Sequence, residues 1–470
     1  MYPVRVNIAV MCFVGCLITY MLRVNLSITI LAMIVPRTAT YNNSTDGNGT
    51  ITNVPDYGPR YSWSPYEESL LLGAYFWGYL FTSAQSGIIA EWVGGRALVG
   101  CTFILSSIFT AIGPIVAAME IFWLLFATRF LVGVFGGPIY PSLHYLIAHW
   151  APPDEKGKFV ASLMGNACGT IITWPLVSIL IEKFNWTMGF YVPAALTFIT
   201  ALIWFRLVAD SPASHPRIEL QESLYIQQSL AGSLVKQKSA FPPMRSVLTS
   251  LPFWSLTLLH YGNAWGLFFL MNAAPKYMSE VLKVNLSKAG ILSSLPYLAR
   301  MMFGFVFGAI GDALLRRKIL SKTMIRKSFC LFSHVIPGLL LLTLSYVGSI
   351  SSGYVCVALI TLSLGFNGAT TVTNLQNSQD LAPNYAGTLY GMINFVGGTT
   401  GFITPVVVSY FTAEQSTSEE WKWVFLIGSV FYITPAILFM IFGSADVQKW
   451  NNEIETNRFN DNIELGPKND

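Results

Sequence analysis

The chain is built almost entirely from apolar runs long enough to cross a bilayer. A helix needs about 20 apolar residues to span a hydrocarbon core of about 30 Å. Twelve such runs lie near 7–35, 66–91, 96–117, 120–147, 157–181, 187–208, 251–277, 288–311, 327–347, 352–376, 385–410 and 422–443. Inside lipid every backbone N–H and C=O must be satisfied within the protein, and runs of this length read as helices rather than barrel strands. Composition agrees: 53% of the 470 residues are hydrophobic and 11% are charged, where a soluble domain carries about 25% charged residues. The basic start and first apolar run superficially suggest a secretory leader. The run reaches about Ile34 and contains Arg23, so it reads as the first span. All six cysteines lie in apolar stretches, which suits small core residues rather than disulfides or metal ligands.

The polar stretch 209–249 divides the chain into six plus six spans. The expected organisation is an N-terminal bundle over 1–208, with a glycosylated external loop at 36–65. A cytoplasmic linker over 209–249, a C-terminal bundle over 250–443 and a disordered cytoplasmic tail over 444–470 follow. Lys and Arg are in excess on the side of the N-terminus, above all at Arg316, Arg317, Lys318, Lys322, Arg326 and Lys327, which places both termini inside. The sequons at Asn42, Asn43 and Asn48 then fall outside, in agreement. An internal repeat supports the two halves. Gly87, Glu91 and Arg96 close span two, and Gly308, Asp312 and Arg317 close span eight at the same offsets. Such repetition marks a two-half transporter. An acid at a cytoplasmic helix end can pair with the following basic loop in one access state and release it in another, so these four charged residues are gating candidates.

Only Arg23, Arg129 and Arg300, and no Asp or Glu, fall deep inside the runs. A charge at mid-bilayer depth costs about 2.5–3.5 kcal/mol on insertion scales, so it usually faces a cavity or a partner. Cations without buried carboxylates point to an anionic ligand. Tyr20, Arg23 and Ser27 share a helix face by their spacing, and the two hydroxyls suit an anion that the guanidinium neutralises. Arg129 shares its face with Val132, Gly133 and Gly136, small or apolar residues that leave room beside it. Arg300 reads as a third anion contact, a structural charge or a snorkelling side chain. Asn263, Asn374 and Asn377 offer neutral hydrogen bonds or interhelical packing, and His260 and His334 titrate near neutrality when unperturbed. The aromatic run Tyr75–Tyr79 reads as helix packing, with a cavity contact on one side.

Several segments carry a resemblance: "TYMLRVNLSI" (Thr19–Ile28), "GAYFWGYL" (Gly73–Leu80), "WAPPDEKGK" (Trp150–Lys158), "DSPASHPRIELQESLYI" (Asp210–Ile226), "LSKAGILSSLPYLA" and "NSQDLAPNYAG" (Asn377–Gly387). Together they resemble the major facilitator superfamily, in the branch of organic anion transporters with sialin, vesicular glutamate transporters and sodium–phosphate cotransporters. The resemblance implies an all-α fold of two pseudo-symmetric six-helix bundles and anion binding at Arg23 and Arg129 in a central cavity. Proton-coupled members of that branch carry glutamates three and seven residues after the span-four arginine, where this chain has Val132 and Gly136. The histidine of vesicular glutamate transporters before the span-two motif is Leu72, their span-seven arginine corresponds to Asn263, and Arg300 stands where relatives have an apolar residue.

The expected function is therefore secondary transport of a small anion, an organic carboxylate or inorganic phosphate, by alternating access. Sodium or the membrane potential is favoured over protons as the driving force. A transport-inactive anion receptor with the same fold is the alternative. With no Walker-type loop, Ser/His/Asp set or metal-ligand cluster in sight, neither an enzyme nor a cofactor is expected. The expected partners are the anionic substrate, a coupling sodium or proton and the lipid bilayer, with no nucleic acid, in a monomer. No acidic dileucine motif occurs in either tail, which favours the plasma membrane over endolysosomal or synaptic-vesicle membranes.

Overall fold

A computed structural model describes residues 3–35, 55–83, 85–152, 155, 159, 161–231, 242–348 and 352–451. The sequons at Asn42, Asn43 and Asn48, most of the 36–65 loop, the centre of the linker and the end of the tail lie outside these residues. Among the described residues the chain is helical, with one isolated bridge between Ile34 and Tyr61.

The first half comprises α1 (Val4–Met33), α2 (Pro65–Ser83), α3 (Ser86–Val93), α4 (Gly95–Ala118), α5 (Phe122–Gly136), α6 (Ile139–Trp150), α7 (Gly165–Lys183) and α8 (Met188–Leu207). After the linker helix α9 (Leu220–Ala231) come α10 (Leu251–Lys276), α11 (Leu286–Arg316), α12 (Lys322–Cys330), α13 (Ile336–Val347), α14 (Gly353–Asn367), α15 (Asn374–Leu381), α16 (Ala386–Gly398), α17 (Thr400–Phe411) and α18 (Ser418–Phe442). Among the described residues, ten helical stretches are long and apolar enough to cross a membrane. The second and seventh runs of the sequence, α2 with Glu67 and Glu68 and α10 with His260, Asn263, Asn272 and Lys276, are helical but more polar.

Local chemistry explains where helices begin and break. Ser64 and Glu67 form a capping box at α2, Ser64 N–H donating to Glu67 Oε2 at 2.8 Å and Glu67 N–H to Ser64 Oγ at 3.2 Å. The second run is two helices, interrupted after Ser83. The fourth run breaks at Gly137–Pro138. Pro138 has no N–H to return to the carbonyl of Val134, and Thr82 Oγ1 of α2 donates to that carbonyl at 2.7 Å instead. Helices α2 and α5 can approach this closely only because Gly78 and Gly133 face each other's backbones: a Cβ on Gly78 would overlap the carbonyl of Phe130, and one on Gly133 the carbonyl of Tyr75.

The chain forms two compact units. The first comprises Met1–Val235, Phe268–Leu298 and Gly401–Val424, so it holds α1–α9 together with the end of α10, the start of α11, nearly all of α17 and the start of α18. Its core packs Trp150, Trp204, Phe103 and Leu143, with Trp204 Nε1 donating to Arg96 O at 3.0 Å and Trp150 Nε1 to Ala209 O at 2.8 Å. The second comprises Lys236–Leu267, Ala299–Thr400 and Phe425–Asp470, around Phe253, Leu256, Leu389 and Phe439.

Candidate functional site

Within the first unit, α1, α2, α5 and the end of α10 gather a cluster around two buried arginines. Arg23 is 8% exposed and Arg129 is 2% exposed, and neither forms an ion pair among the described residues. Rings surround the Arg23 guanidinium instead: its carbon lies 4.4 Å from the centroid of Phe76, 4.6 Å from Phe268, 5.1 Å from Tyr20, 5.3 Å from Tyr79 and 5.4 Å from Tyr75. Tyr75 and Phe76 each share a face of α2 with Tyr79, at spacings of four and three residues, and the three rings reach the guanidinium from that side. Trp77 leaves on the opposite side, 47% exposed and stacked on Phe402 with centroids 3.8 Å apart. The aromatic run is thus more than packing: three of its rings wall the arginine.

Cation–π contacts are worth about 0.5–2 kcal/mol each, whereas removing an ion from water costs several kcal/mol. The rings offset only part of that cost, and the hydrogen bonding is incomplete. Arg23 Nη1 reaches Tyr20 Oη at 3.4 Å, at the limit of a bond. Arg129 Nη1 donates to Asn25 Oδ1 at 3.2 Å and Nη2 to Leu22 O at 3.4 Å. Arg23 Nε, Arg129 Nε and the Tyr75 hydroxyl are buried with no protein acceptor. Buried polar groups are satisfied in the great majority of cases, so three orphan donors in one cluster are a site short of acceptors.

Two sequence readings change here. Ser27 stays on the Arg23 helix, but its hydroxyl is already used: it donates to Val24 O at 2.7 Å and accepts from Trp174 Nε1 at 2.9 Å. Gly133 and Gly136 do not leave open space beside Arg129. Tyr75 fills it, its carbonyl against Gly133 and its hydroxyl against Gly136, which is what carries that hydroxyl into the cluster.

Arg300 belongs to the second unit and to a separate network. Its Nε donates to Asn367 Oδ1 at 3.0 Å and its Nη2 approaches Thr370 Oγ1 at 3.4 Å. Asn367 Nδ2 donates in turn to Ser333 O at 2.9 Å, in a π-helical turn over Leu331–Val335. In the same unit His334 Nε2 lies 2.9 Å from Leu259 O, and Asn374 Nδ2 lies 2.9 Å from His260 Nδ1. Asn377 donates to Ser444 O at 2.9 Å. Asn263 is 4% exposed, and its Oδ1 has no donor.

The charged residues at the helix ends have partners that sequence reasoning missed. Arg96 backbone N–H donates to Asp210 Oδ1 at 2.8 Å and its Nη2 to Phe205 O at 2.8 Å, so the linker's aspartate holds the backbone at Arg96 while the guanidinium rests on a carbonyl of α8. In the second unit Arg326, not Arg317, makes a buried bridge, its Nε 2.8 Å from Asp380 Oδ2. Asp312 accepts from Arg316 Nε at 3.4 Å only through its backbone carbonyl. A further ion pair joins Lys276 Nζ to both oxygens of Glu68, at 3.0 and 2.8 Å, with side chains 5% and 3% exposed. Glu68 lies in the first turn of α2 and Lys276 in the last turn of α10, each at the helix end where its charge suits the dipole.

Residues 8–405 match the profile of the Major Facilitator Superfamily. The chain is similar to sialin of Homo sapiens, 32% identical over 453 residues that cover 95% of this chain and 90% of that protein. It is similar to a putative inorganic phosphate cotransporter of Drosophila melanogaster, 31% identical over 96% of this chain and 87% of that protein. Vesicular glutamate transporter 2 of Bos taurus is 32% identical over 97% of this chain and 76% of its own length. Among solved structures, a bacterial homologue of the human lysosomal transporter Spinster matches with a TM-score of 0.67, at 14% identity over 94% of this chain and 97% of that one. The xylose transporter of E. coli matches with a TM-score of 0.67 at 14% identity, over 96% and 99%. At such identity these two speak for the fold alone.

Proposed function

This chain belongs to the Major Facilitator Superfamily, and we propose that it is a secondary transporter of a small organic anion working by alternating access. The observation that carries this reading is the set of buried donors without acceptors on Arg23, Arg129 and Tyr75. A carboxylate 4 Å from one guanidinium gains about 4 kcal/mol at an effective dielectric of 20, enough to hold an anion yet escapable when water enters. Arginine also matches a planar carboxylate with two parallel N–H bonds. The walls refine the substrate class. Phe76 and Phe268 offer ring surface where a fully hydrated phosphate would need donors, so an organic carboxylate with an apolar body fits better than inorganic phosphate.

Sodium or the membrane potential drives the cycle in this reading, since Val132 and Gly136 stand where proton-coupled relatives would have carboxylates. The bond from the Arg96 backbone N–H to Asp210 and the ion pair of Arg326 with Asp380 are the inner-end contacts expected to yield during gating; Glu91, Asp312, Arg317 and the Arg96 guanidinium are the remaining charges able to replace them. In this reading the excess of Lys and Arg on the N-terminal side supports cytoplasmic termini with the 36–65 loop outside, and the lack of an acidic dileucine motif favours the plasma membrane.

The test is uptake into proteoliposomes offered benzoate, L-glutamate and inorganic phosphate under separately imposed sodium, voltage and pH gradients. Saturable carboxylate uptake that exceeds phosphate uptake and responds to sodium or voltage is expected. Concentrative uptake driven by the pH gradient and blind to the other two would contradict the coupling assignment, and binding without flux would contradict transport.

A further inference from the structure

We infer that Asn25 is a positioning residue for Arg129, and that it holds this arginine with a neutral acceptor so that its charge stays available to a bound anion; the inference rests on the transport reading above. Asn25 is wholly buried in α1. Its Nδ2 donates to Gly189 O at 3.0 Å and its Oδ1 accepts from Arg129 Nη1 at 3.2 Å.

The sequence dictates the first of these bonds. In α8 the carbonyl of Gly189 would normally accept from the N–H four residues on, but that residue is Pro193, which has none. The orphan carbonyl requires an outside donor. Gly189 also lets α1 come close enough to provide one, because a Cβ there would overlap Thr29 Oγ1. The amide therefore has one orientation. A carbonyl only accepts and a guanidinium only donates, so with the NH2 end fixed on Gly189 the oxygen must face Arg129. Arg129 Nη2 leans on Leu22 O in the same helix, which leaves its Nε as the unpartnered edge. Pro193, Gly189 and Asn25 thus form a chain of cause that sets how Arg129 presents itself.

The choice of amide over acid matters as much as the geometry. An aspartate has nearly the same shape, but it would neutralise Arg129 and compete with any incoming anion. It would also turn an oxygen towards the Gly189 carbonyl.

The experiment is equilibrium binding of benzoate to the purified full-length protein, by calorimetry, in the wild type, Asn25→Asp and Asn25→Leu, with thermal unfolding of each ligand-free protein alongside. Asn25→Asp is expected to lose affinity by at least about tenfold while its melting temperature falls less than that of Asn25→Leu, since it supplies Arg129 with a counter-ion. Asn25→Leu, which keeps the charge but frees the guanidinium, is expected to lose less affinity than Asn25→Asp. A folded Asn25→Asp within twofold of wild-type affinity overturns the inference, as does an affinity loss that merely tracks stability across the two variants. If Asn25→Asp does not fold, wild-type affinity in Asn25→Leu overturns it. A wild type that binds none of benzoate, L-glutamate or phosphate overturns the anion reading itself, and this inference with it.

Discussion

Tyr75 and Ser27 are both hydroxyl residues beside the arginine cluster, and the structure gives them opposite expectations. The Tyr75 hydroxyl has no acceptor, so Tyr75→Phe removes a donor from the anion and should raise KM for carboxylate uptake about 2–10-fold, the worth of one ordinary hydrogen bond. The Ser27 hydroxyl is engaged by Val24 and Trp174; Ser27→Ala should leave KM within about twofold, its cost falling on stability through the stranded Trp174 N–H. Initial uptake rates for the two variants check both statements, and the reverse order would mean that the anion lies on the Ser27 side. Arg23 and Arg129 were legible in the sequence because a lone charge in an apolar run is expensive and therefore informative. Helical spacing placed Ser27 on the right helix, but it could not reveal that an indole on α7 had taken its hydroxyl. Phe268 had no signal at all: an aromatic residue in an apolar run looks the same whether it packs or walls a site.

At the scale of helices, the pair of Glu68 on α2 and Lys276 on α10 carries the sharpest expectation. Breaking a buried ion pair by removing one partner leaves an uncompensated charge and costs about 3–5 kcal/mol, while replacing both partners is often nearly neutral. Lys276→Met should therefore lower the melting temperature of the solubilised protein clearly, and adding Glu68→Gln to it should restore most of the loss. If the double variant is no more stable than Lys276→Met, the two charges are not coupled as the 2.8 Å contact implies. The pair escaped sequence reading because both residues stand at the ends of apolar runs, where a charge is expected to meet the interface and draws no attention. The helix breaks were partly legible. Pro138 marks one, but the donor that satisfies the carbonyl it strands, Thr82, is more than fifty residues away in sequence.

For the whole molecule, hydropathy alone fixed the helical membrane class, since twelve apolar runs leave few other folds open, and the superfamily match bears that class out. Hydropathy could not foresee how the helices group. The end of α10 and the start of α11 pack with the first unit, across the six-plus-six division of the sequence, because grouping follows side-chain packing such as Phe76 on Phe268 and Trp174 on Tyr297 rather than chain order. The repeat at Glu91 and Asp312 was legible as a pattern. Asp210, which accepts from the Arg96 backbone N–H, and Asp380, which pairs with Arg326, stand in the linker and in the short helix α15, and periodicity does not read such pairings. Transport as proposed depends on an organic anion binding at the guanidinium of Arg23, and tracer counterflow reads that step. Liposomes containing wild-type protein or Arg23→Lys are loaded with unlabelled benzoate and offered labelled benzoate outside. Transient accumulation of label is expected with the wild type, and a loss of at least about tenfold with Arg23→Lys, which keeps the charge but not the planar fork. Counterflow by correctly inserted Arg23→Lys at the wild-type rate would contradict that dependence.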